Sequence, residues 1–492
     1  MQQELAQKKR EIIEVFIKNG FLISPELLNK INDAKNMPSI AELLKTCQAS
    51  ESIITPKKIS NAPETGQEVI LDEKQASKIN VVFSYREESK KREPQDFVDY
   101  FNNRYKSIEK ILKQRQELKS TISINKLANK KENISVIGIV SSKQTTKNGN
   151  LMLLVEDPTG QKKVIVNKNK PALFIEAKDI VLDEVIGVVG VNVENVIFAN
   201  NILWPDIPAK ELKKAKQEKY ALFLSDLHVG SSKFLPDDFE KFLKWINGNA
   251  GSEQQKHIAE NVECIFIAGD LVDGCGIYPE QDKELLTKDI YQQYRECASL
   301  LAQIPNTIPL VICPGNHDAM RISEPQPVLS KDFAKPMYEL SNAIMVSNPS
   351  MINISSTAGF EGLDVMMYHG YSFDYYVAEV DSLRSKGGYD RADLIMKFLL
   401  KRRHLAPSHL SSQYIPDTKK DPLVIEKVPD ILISGHIHKT ATANYRNTTL
   451  ICGSCWQGKT LFQEKVGHNP EPSRVPVINL QTREVKILKF GQ

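Results

Sequence analysis

The sequence predicts a multidomain protein in which a large α/β domain at 215–492 follows a small β-barrel at 120–210. The chain has 492 residues, and about 150 residues per domain suggests roughly three domains. Short β-branched runs separated by turn residues fill the barrel region. Apolar strands, polar loops and amphipathic helices then alternate to the end of the chain, which is typical of a layered α/β domain.

The amino-acid composition of the chain limits the class of protein to which it can belong. Hydrophobic residues make up 41% of the chain and charged residues 25%, which excludes a fibrous or globally disordered protein. Apolar stretches stay short of the about 18 residues that a membrane span needs, and the charged N-terminus is unlike a signal peptide. We therefore expect a cytoplasmic protein with no membrane partner. A net charge of +3 permits a nucleic-acid partner without requiring one.

The seven cysteines are scattered along the chain. Cys452 and Cys455 alone have CxxC spacing, and without a second pair we interpret them as packing or turn residues rather than zinc ligands. This pattern favours a reducing compartment over a disulfide framework.

Three segments precede the barrel. Residues 1–50 predict a small helical module, because Asn19-Gly20 ends one helical pattern and Ser24-Pro25-Glu26 begins the next. Such a small piece suits docking to a partner better than catalysis. Residues 51–96 are polar and contain prolines, so we expect a flexible linker there. The apolar face at 97–119 predicts a connecting helix.

Residues 120–210 contain five short β-rich runs with turn signals at 147–150 and 157–160. A glycine lies inside the first and the fourth run, where a barrel strand must bend. This pattern predicts a small closed barrel of the OB type. OB barrels often bind single strands through basic and aromatic side chains. Because these strands carry few aromatic residues, a structural or protein-binding barrel is favoured, with strand binding as the alternative.

Five apolar runs of the α/β domain each end on polar side chains that can bind metals or transfer protons. Buried strands of one sheet can bring their carboxyl-end loops into a single crevice, so we expect these side chains to meet. The side chains at the five ends are Asp226 and His228, Asp270 and Asp273, Asn316, His317 and Asp318, His369, and His436 and His438.

Seven of these side chains suit a pair of divalent ions. They are Asp226, His228, Asp270, Asn316, His369, His436 and His438. Asp270 is the natural bridge, and a set without thiolates favours manganese, iron or zinc over a structural zinc cluster. Two ions about 3.5–4 Å apart generate hydroxide near neutral pH and clamp a phosphate. His317, beside Asn316, is placed to protonate a leaving alkoxide. Asp273 and Asp318 are candidates for substrate binding near the site.

The motifs DxH, GDLVD, GNHD, HG and GHIH, in this order, resemble the calcineurin-like metallophosphoesterase superfamily. The resemblance implies a four-layer α/β/β/α sandwich with His317 as the catalytic acid. It also implies that one metal is held by Asp226, His228, Asp270 and His438, and the other by Asp270, Asn316, His369 and His436.

The larger layout resembles the small-subunit family of archaeal family D DNA polymerases over nearly the whole chain. The resemblance includes the segments 204–208, 401–407 and 453–460. It implies a manganese-dependent 3′ to 5′ exonuclease that proofreads single-stranded or mismatched DNA 3′ ends for a separate large catalytic subunit of a replicative polymerase.

Two alternatives stay open. Eukaryotic replicative polymerase B-subunits share the layout but have lost metal ligands and act as scaffolds, so this chain could be a non-catalytic scaffold subunit. A stand-alone phosphodiesterase would leave the N-terminal module, the linker and the barrel unexplained. Because all seven ligands are present, the sequence favours the nuclease.

One position departs from related break-repair nucleases, which carry a histidine where this chain has Asp273. We expect the change to alter how the scissile nucleotide is held. His404 and His409 are interpreted as structural or substrate-edge residues, and His257 and His468 as surface residues.

Overall fold

The computed structural model describes residues 79–86, 90–465 and 467–491, together with the backbone pairing of two short N-terminal strands. These strands, β1 (Leu22–Ile23) and β2 (Ile53–Ile54), pair in parallel within a unit that spans Met1–Ile70. The predicted helical module at 1–50 otherwise lies outside the described residues. Leu71–Gln492 forms the second unit, which contains the remaining elements.

The helices of the second unit are mostly short. They are α1 (Pro94–Leu112), α2 (Pro171–Lys178), α3 (Pro236–Ile246), α4 (Glu253–Glu260), α5 (Ile290–Leu301), α6 (Lys331–Tyr338), α7 (Phe373–Glu379), α8 (Asp381–Ser385), α9 (Ala392–Arg402) and α10 (Leu461–Lys465). Among the described residues, no helix combines the length and the apolarity needed to cross a membrane.

The barrel is closed by five strands in the order β4-β5-β6-β8-β7. Their bounds are β4 (Glu132–Thr145), β5 (Leu151–Asp157), β6 (Gly160–Val166), β7 (Val185–Val193) and β8 (Val196–Leu203). β6 and β8 pair in parallel, whereas the other neighbours are antiparallel. At Gly138 an added Cβ would lie 2.5 Å from Val155 Cγ1, so close strand contact requires glycine there. The predicted closed barrel is confirmed.

Two six-stranded sheets form the α/β domain. The first has the order β12-β11-β10-β9-β18-β19. Its strands are β9 (Tyr220–Leu224), β10 (Val262–Ala268), β11 (Leu310–Cys313), β12 (Ala343–Met345), β18 (Arg474–Asn479) and β19 (Val485–Lys489). The second has the order β16-β17-β15-β14-β13-β3. Its strands are β3 (Ile79–Ser84), β13 (Ser350–Ile354), β14 (Leu363–Met367), β15 (Ile431–Ser434), β16 (Ala441–Tyr445) and β17 (Thr448–Cys452).

The sheets share one apolar core. Phe223 and Phe266 of the first sheet stack at 5.6 Å between ring centroids and belong to the same buried cluster as Ile352 and Val365 of the second sheet. A second cluster joins the first sheet to α3 and α5, and a third joins the second sheet to α7 and α9. The central strands are therefore buried on both faces, which explains why they are continuous apolar runs in the sequence.

Strand β3 corrects the linker prediction. It lies within the predicted linker 51–96 but pairs with β13 at the edge of the second sheet. Val81 and Val82 remain 39% and 45% exposed, so the segment lacks the alternation that marks a half-buried strand, and its partner is distant in sequence. Helix α1 also begins three residues before the predicted helix at 97–119 and ends at Leu112.

Helix α1 contacts the α/β domain through a buried ion pair between Arg104 and Asp421. Arg104 Nε lies 2.7 Å from Asp421 Oδ2, and its Nη1 donates to the carbonyl of Pro407. His404 Nε2 lies 2.8 Å from the same Asp421 oxygen, which makes His404 structural. Because these side chains are buried, the Asp421 carboxylate compensates a charge that water cannot reach.

We predict that Asp421→Ala destabilises the protein strongly, because it leaves the Arg104 guanidinium buried without a counter-charge. Breaking such a pair typically costs about 3–5 kcal/mol. Glu240→Ala is the matched control, since Glu240 forms an exposed pair with Lys244, which is worth at most about 1 kcal/mol. Urea unfolding measures both variants, and equal losses of unfolding free energy would contradict the interpretation.

Candidate metal centre

The predicted site residues come from strands of both sheets. Asp226 and His228 follow β9, Asp270 follows β10, and Asn316 and His317 follow β11, all in the first sheet. His369 follows β14, and His436 and His438 follow β15, in the second sheet. The sequence predicted one crevice but not that two sheets build it.

Five ligand candidates have left-handed backbones, with φ of 52° at Asp226, 51° at His228, 53° at Asp270, 72° at His436 and 53° at His438. This conformation is uncommon for residues other than glycine and costs about 1–3 kcal/mol at each position. Such strain concentrates at functional sites, and here it turns the chain sharply after three strands so that the side chains converge.

Asp226, His228 and His438 form the first ligand group, with their ligand atoms within 4.8 Å of one another. The Nε2 atoms of His228 and His438 are 3.0 Å apart. His228 Nδ1 lies 3.0 Å from a carboxylate oxygen of Asp273 and donates to it, which leaves Nε2 with a lone pair for a metal. Gln463 Nε2 lies 2.9 Å from His438 Nδ1 and orients that ring.

Asp270, His369 and His436 form the second ligand group, again within 4.8 Å. Asn316 Oδ1 lies 2.9 Å from His369 Nε2 and 3.0 Å from His436 Nδ1, so the amide oxygen joins this group. Burial alone would lower the pKa of His369, but the carboxylates of Asp270 and Asp226 raise it to about 10. The same carboxylates would favour a divalent cation among these ligands, so the residues fit the predicted metals.

The carboxylate of Asp270 faces both groups. Its Oδ2 lies 3.3 Å from His369 Nε2 and 3.9 Å from His228 Nε2, while its Oδ1 accepts a hydrogen bond from His317 N. Burial would raise the pKa of Asp270, but the charges of His369 and His317 lower it well below its ordinary value. A Cβ at Gly315 would lie 2.2 Å from Asp270 Oδ1, so only glycine leaves room for the Asp270 carboxylate.

His317 lies beside the Asp270 carboxylate, to which its backbone N–H donates. Its Nδ1 donates to the carbonyl oxygen of Asp273 over 2.8 Å, and its ring meets the His228 ring edge-on at 4.6 Å. Burial lowers the pKa of His317, against the opposing charge of Asp270. Since Nδ1 is engaged, Nε2 is the nitrogen that can exchange a proton with a ligand.

Asp273 and Asp318, the predicted candidates for substrate binding, are both buried and contact other residues of the site. Asp273 is buried behind His228, where Oδ1 also accepts from Gln457 and Oδ2 accepts from Gln281. Asp318 accepts from the backbone N–H of Gly315 at 2.8 Å and from the hydroxyl of Tyr294. Burial and the nearby Asp270 charge raise the pKa of Asp318 to about 7. Both carboxylates hold other site residues in place.

A cavity of about 570 Å³ opens in front of the ligand groups. Sequence reasoning missed its outer lining, which includes Tyr278, Tyr371, Asp374, Tyr389, Gln457, Phe462, Gln463 and His468. Tyr371 follows His369-Gly370 directly and Asp374 comes three residues later, and this closeness to the HG motif is the local signal that could have found them. Asp374 Oδ2 lies 3.1 Å from His436 Nε2 and helps to orient that ring.

The predictions for the histidines and cysteines outside the ligand groups can be compared with their exposure in the structure. His468 is half-buried in the cavity wall, with its ring 4.0 Å from that of Tyr389, so the surface prediction for it is wrong. His257 is exposed as predicted. His409 is partly exposed and pairs with Asp183. Cys452 and Cys455 are free, buried thiols, in agreement with a packing role.

The α/β domain is similar to a known protein family. Residues 221–442, which contain all seven ligand candidates, match the family described as the B-subunit of DNA polymerases alpha and epsilon. The α/β domain is thus similar to this family of polymerase B-subunits, and the candidate metal ligands lie within the matched residues.

Curated relatives give the narrower family. The chain is 40% identical over 396 residues to the DNA polymerase II small subunit of Methanothermobacter thermautotrophicus, covering 80% of this chain and 79% of the relative. It is 39% identical over 390 residues to that of Methanocaldococcus jannaschii, covering 78% of this chain and 64% of the relative. The chain belongs to the family of archaeal DNA polymerase II small subunits, which confirms the family predicted from the motifs.

A solved archaeal phosphodiesterase also aligns with the chain. The match has 13% identity and a TM-score of 0.28, and it covers 55% of this chain and 98% of the phosphodiesterase.

We predict that Asp273→Asn weakens manganese binding by about 10- to 100-fold, because the neutral amide no longer raises the basicity of the His228 ring. Isothermal titration with Mn²⁺ measures the affinity. The control is Asp381→Asn, which removes a carboxylate exposed far more than Asp273. Unchanged affinity in Asp273→Asn would show that this carboxylate does not support a metal ligand.

Proposed function

We propose that this chain is the 3′ to 5′ exonuclease and assembly subunit of a heteromeric archaeal replicative DNA polymerase. The observation that carries the proposal is the convergence of two His/Asp groups on the single carboxylate of Asp270. This arrangement suits phosphodiester hydrolysis assisted by two metal ions. A separate large catalytic subunit is the proposed partner, and single-stranded or mismatched DNA 3′ ends are the proposed substrate.

The finer fold assignments belong to the same proposal. Core clusters between the sheets and on each outer face support the four-layer α/β/β/α arrangement. The barrel order β4-β5-β6-β8-β7, with α2 between β6 and β7, supports the OB type.

Within this proposal, the chain's own residues have distinct tasks. Asp226, His228 and His438 would hold one metal, Asn316, His369 and His436 would hold the other, and Asp270 would contribute to both. When bound, two divalent ions, preferably manganese with iron or zinc as alternatives, supply hydroxide near neutral pH and offset charge on the phosphate.

His317 completes the hydrolysis as the proton donor. Water adds its oxygen to phosphorus, the P–O3′ bond breaks, and the leaving O3′ takes a proton. The hydrogen bond from Nδ1 to the Asp273 carbonyl fixes the ring, so that Nε2 can deliver this proton. The cavity lining includes His317, which gives the ring access to a bound DNA end.

A non-catalytic scaffold is the alternative function. It would leave no reason for five strained, left-handed residues among the ligand candidates, because strain without function is readily lost by substitution. A combined role in catalysis and assembly accommodates both the site and the family.

We predict that Asp270→Asn abolishes manganese-dependent release of nucleotides from a 5′-labelled single-stranded oligonucleotide. His317→Gln should slow the release by about 10²–10⁴-fold, because proton transfer to O3′ is lost. Asp270→Asn should also weaken Mn²⁺ binding, whereas His317→Gln should keep it, since His317 is not a ligand. The exposed His257→Gln is the control. Wild-type digestion by both site variants would refute the assignment.

A further inference from the structure

An aromatic wall stands beside the proposed catalytic acid. The rings of Tyr278 and Phe462 stack at 5.3 Å between centroids with an interplanar angle of 29°. Both residues line the cavity, and the Tyr278 ring lies 6.3 Å from the His317 ring. Phe462 is 44% exposed, so its ring is accessible from the cavity. We call this pair the Tyr278–Phe462 wall.

The wall is held in place before any ligand arrives. The buried Glu284 accepts a hydrogen bond from the backbone N–H of Leu461 at 3.0 Å, and its other oxygen accepts one from the Tyr278 hydroxyl at 3.4 Å. One carboxylate therefore joins the two segments that carry the aromatic rings. A surface ordered in advance loses little conformational entropy when it binds.

Each wall residue also lies next to a residue that supports the metal centre. Gln463, beside Phe462, contacts the His438 ring at 2.9 Å. In the Tyr278 loop, Gln281 donates to both the backbone and the carboxylate of Asp273, which in turn holds His228. The position of the wall is thus tied to the position of the first ligand group.

We propose that the Tyr278–Phe462 wall is a nucleobase-binding subsite that stacks the base on the leaving-group side of the scissile phosphate. This inference rests on the proposed exonuclease function. The nucleotide that carries the leaving O3′ must lie on the His317 side, and Tyr278 is the aromatic ring beside His317. That base belongs to the penultimate nucleotide of the 3′ end.

Stacking on aromatic side chains tolerates every base, because each base has a π-face. It also requires a base that has left its duplex stack, and this costs least for single-stranded or mismatched ends. The wall therefore provides a physical basis for selecting unpaired 3′ ends without reading their sequence.

The first test measures binding without catalysis. A single-stranded oligonucleotide with 2-aminopurine at the penultimate 3′ position is titrated with the full chain in EDTA, and fluorescence quenching reports stacking. We expect Tyr278→Ala/Phe462→Ala to lose the quenching and to bind at least about 5-fold more weakly. Phe462→Tyr, which keeps an aromatic ring and leaves the Tyr278 hydroxyl in place, should retain both. The control is Leu461→Ala, because Leu461 is 57% exposed on the same helix but is absent from the cavity lining.

The second test compares two single-stranded oligonucleotides, one with an abasic residue at the penultimate 3′ position and one with it at the terminal position. Wild-type protein should bind the penultimate abasic oligonucleotide more weakly than the intact one, and the double alanine variant should show no such difference. Mn²⁺ affinity of that variant should equal that of the wild type, which separates base binding from damage to the metal centre.

Several results would overturn the subsite. These are unchanged quenching in the double alanine variant, a preference that follows only the terminal base, or loss of Mn²⁺ binding together with DNA binding. Because quenching is measured without metal, failure of the wild type to cleave DNA would count against the proposed function alone.

Discussion

The buried carboxylate of Asp270 is the constraint on which the site depends. It faces a histidine of each ligand group, and it also accepts the backbone N–H of His317. A buried carboxylate is stable only with positive charge or hydrogen-bond donors around it. Each of the two sheets brings a histidine to it, and the glycine at 315 leaves the space that the carboxylate occupies. Both ligand groups and the backbone of His317 are therefore positioned around the single side chain of Asp270.

A second layer of polar side chains keeps the ligands oriented. Asp273, Gln463 and Asp374 each contact the nitrogen of a histidine ring that faces away from its ligand group. Such partners fix ring orientation, and the two carboxylates, which accept the ring N–H, also raise the basicity of the opposite ring nitrogen. Two of these partners lie on or next to segments that carry aromatic rings of the cavity. The segments that orient the histidine rings therefore also carry part of the cavity lining.

The convergence of the ligand candidates could be predicted because each of them lies within a few residues of an apolar strand end. That signal is local and visible in the sequence, as Asp226 and His228 after β9 show. Contacts between distant segments leave no such local signal. Asp273 supports His228 from 45 residues away, and its sequence neighbours do not show which way it points. Tyr278 lies in a loop and Phe462 lies on the short helix α10, and only the fold brings the two rings together. Strand β3 was missed for the same reason, since its pairing with β13 has no local pattern.

The two ligand groups are proposed to hold a pair of metal ions bridged by Asp270. Anomalous X-ray diffraction from manganese-soaked crystals of the full chain locates such ions directly. We expect two peaks about 3.5–4 Å apart, one beside Asp226, His228 and His438 and one beside Asn316, His369 and His436. A single peak, or peaks away from Asp270, would contradict the bridged pair.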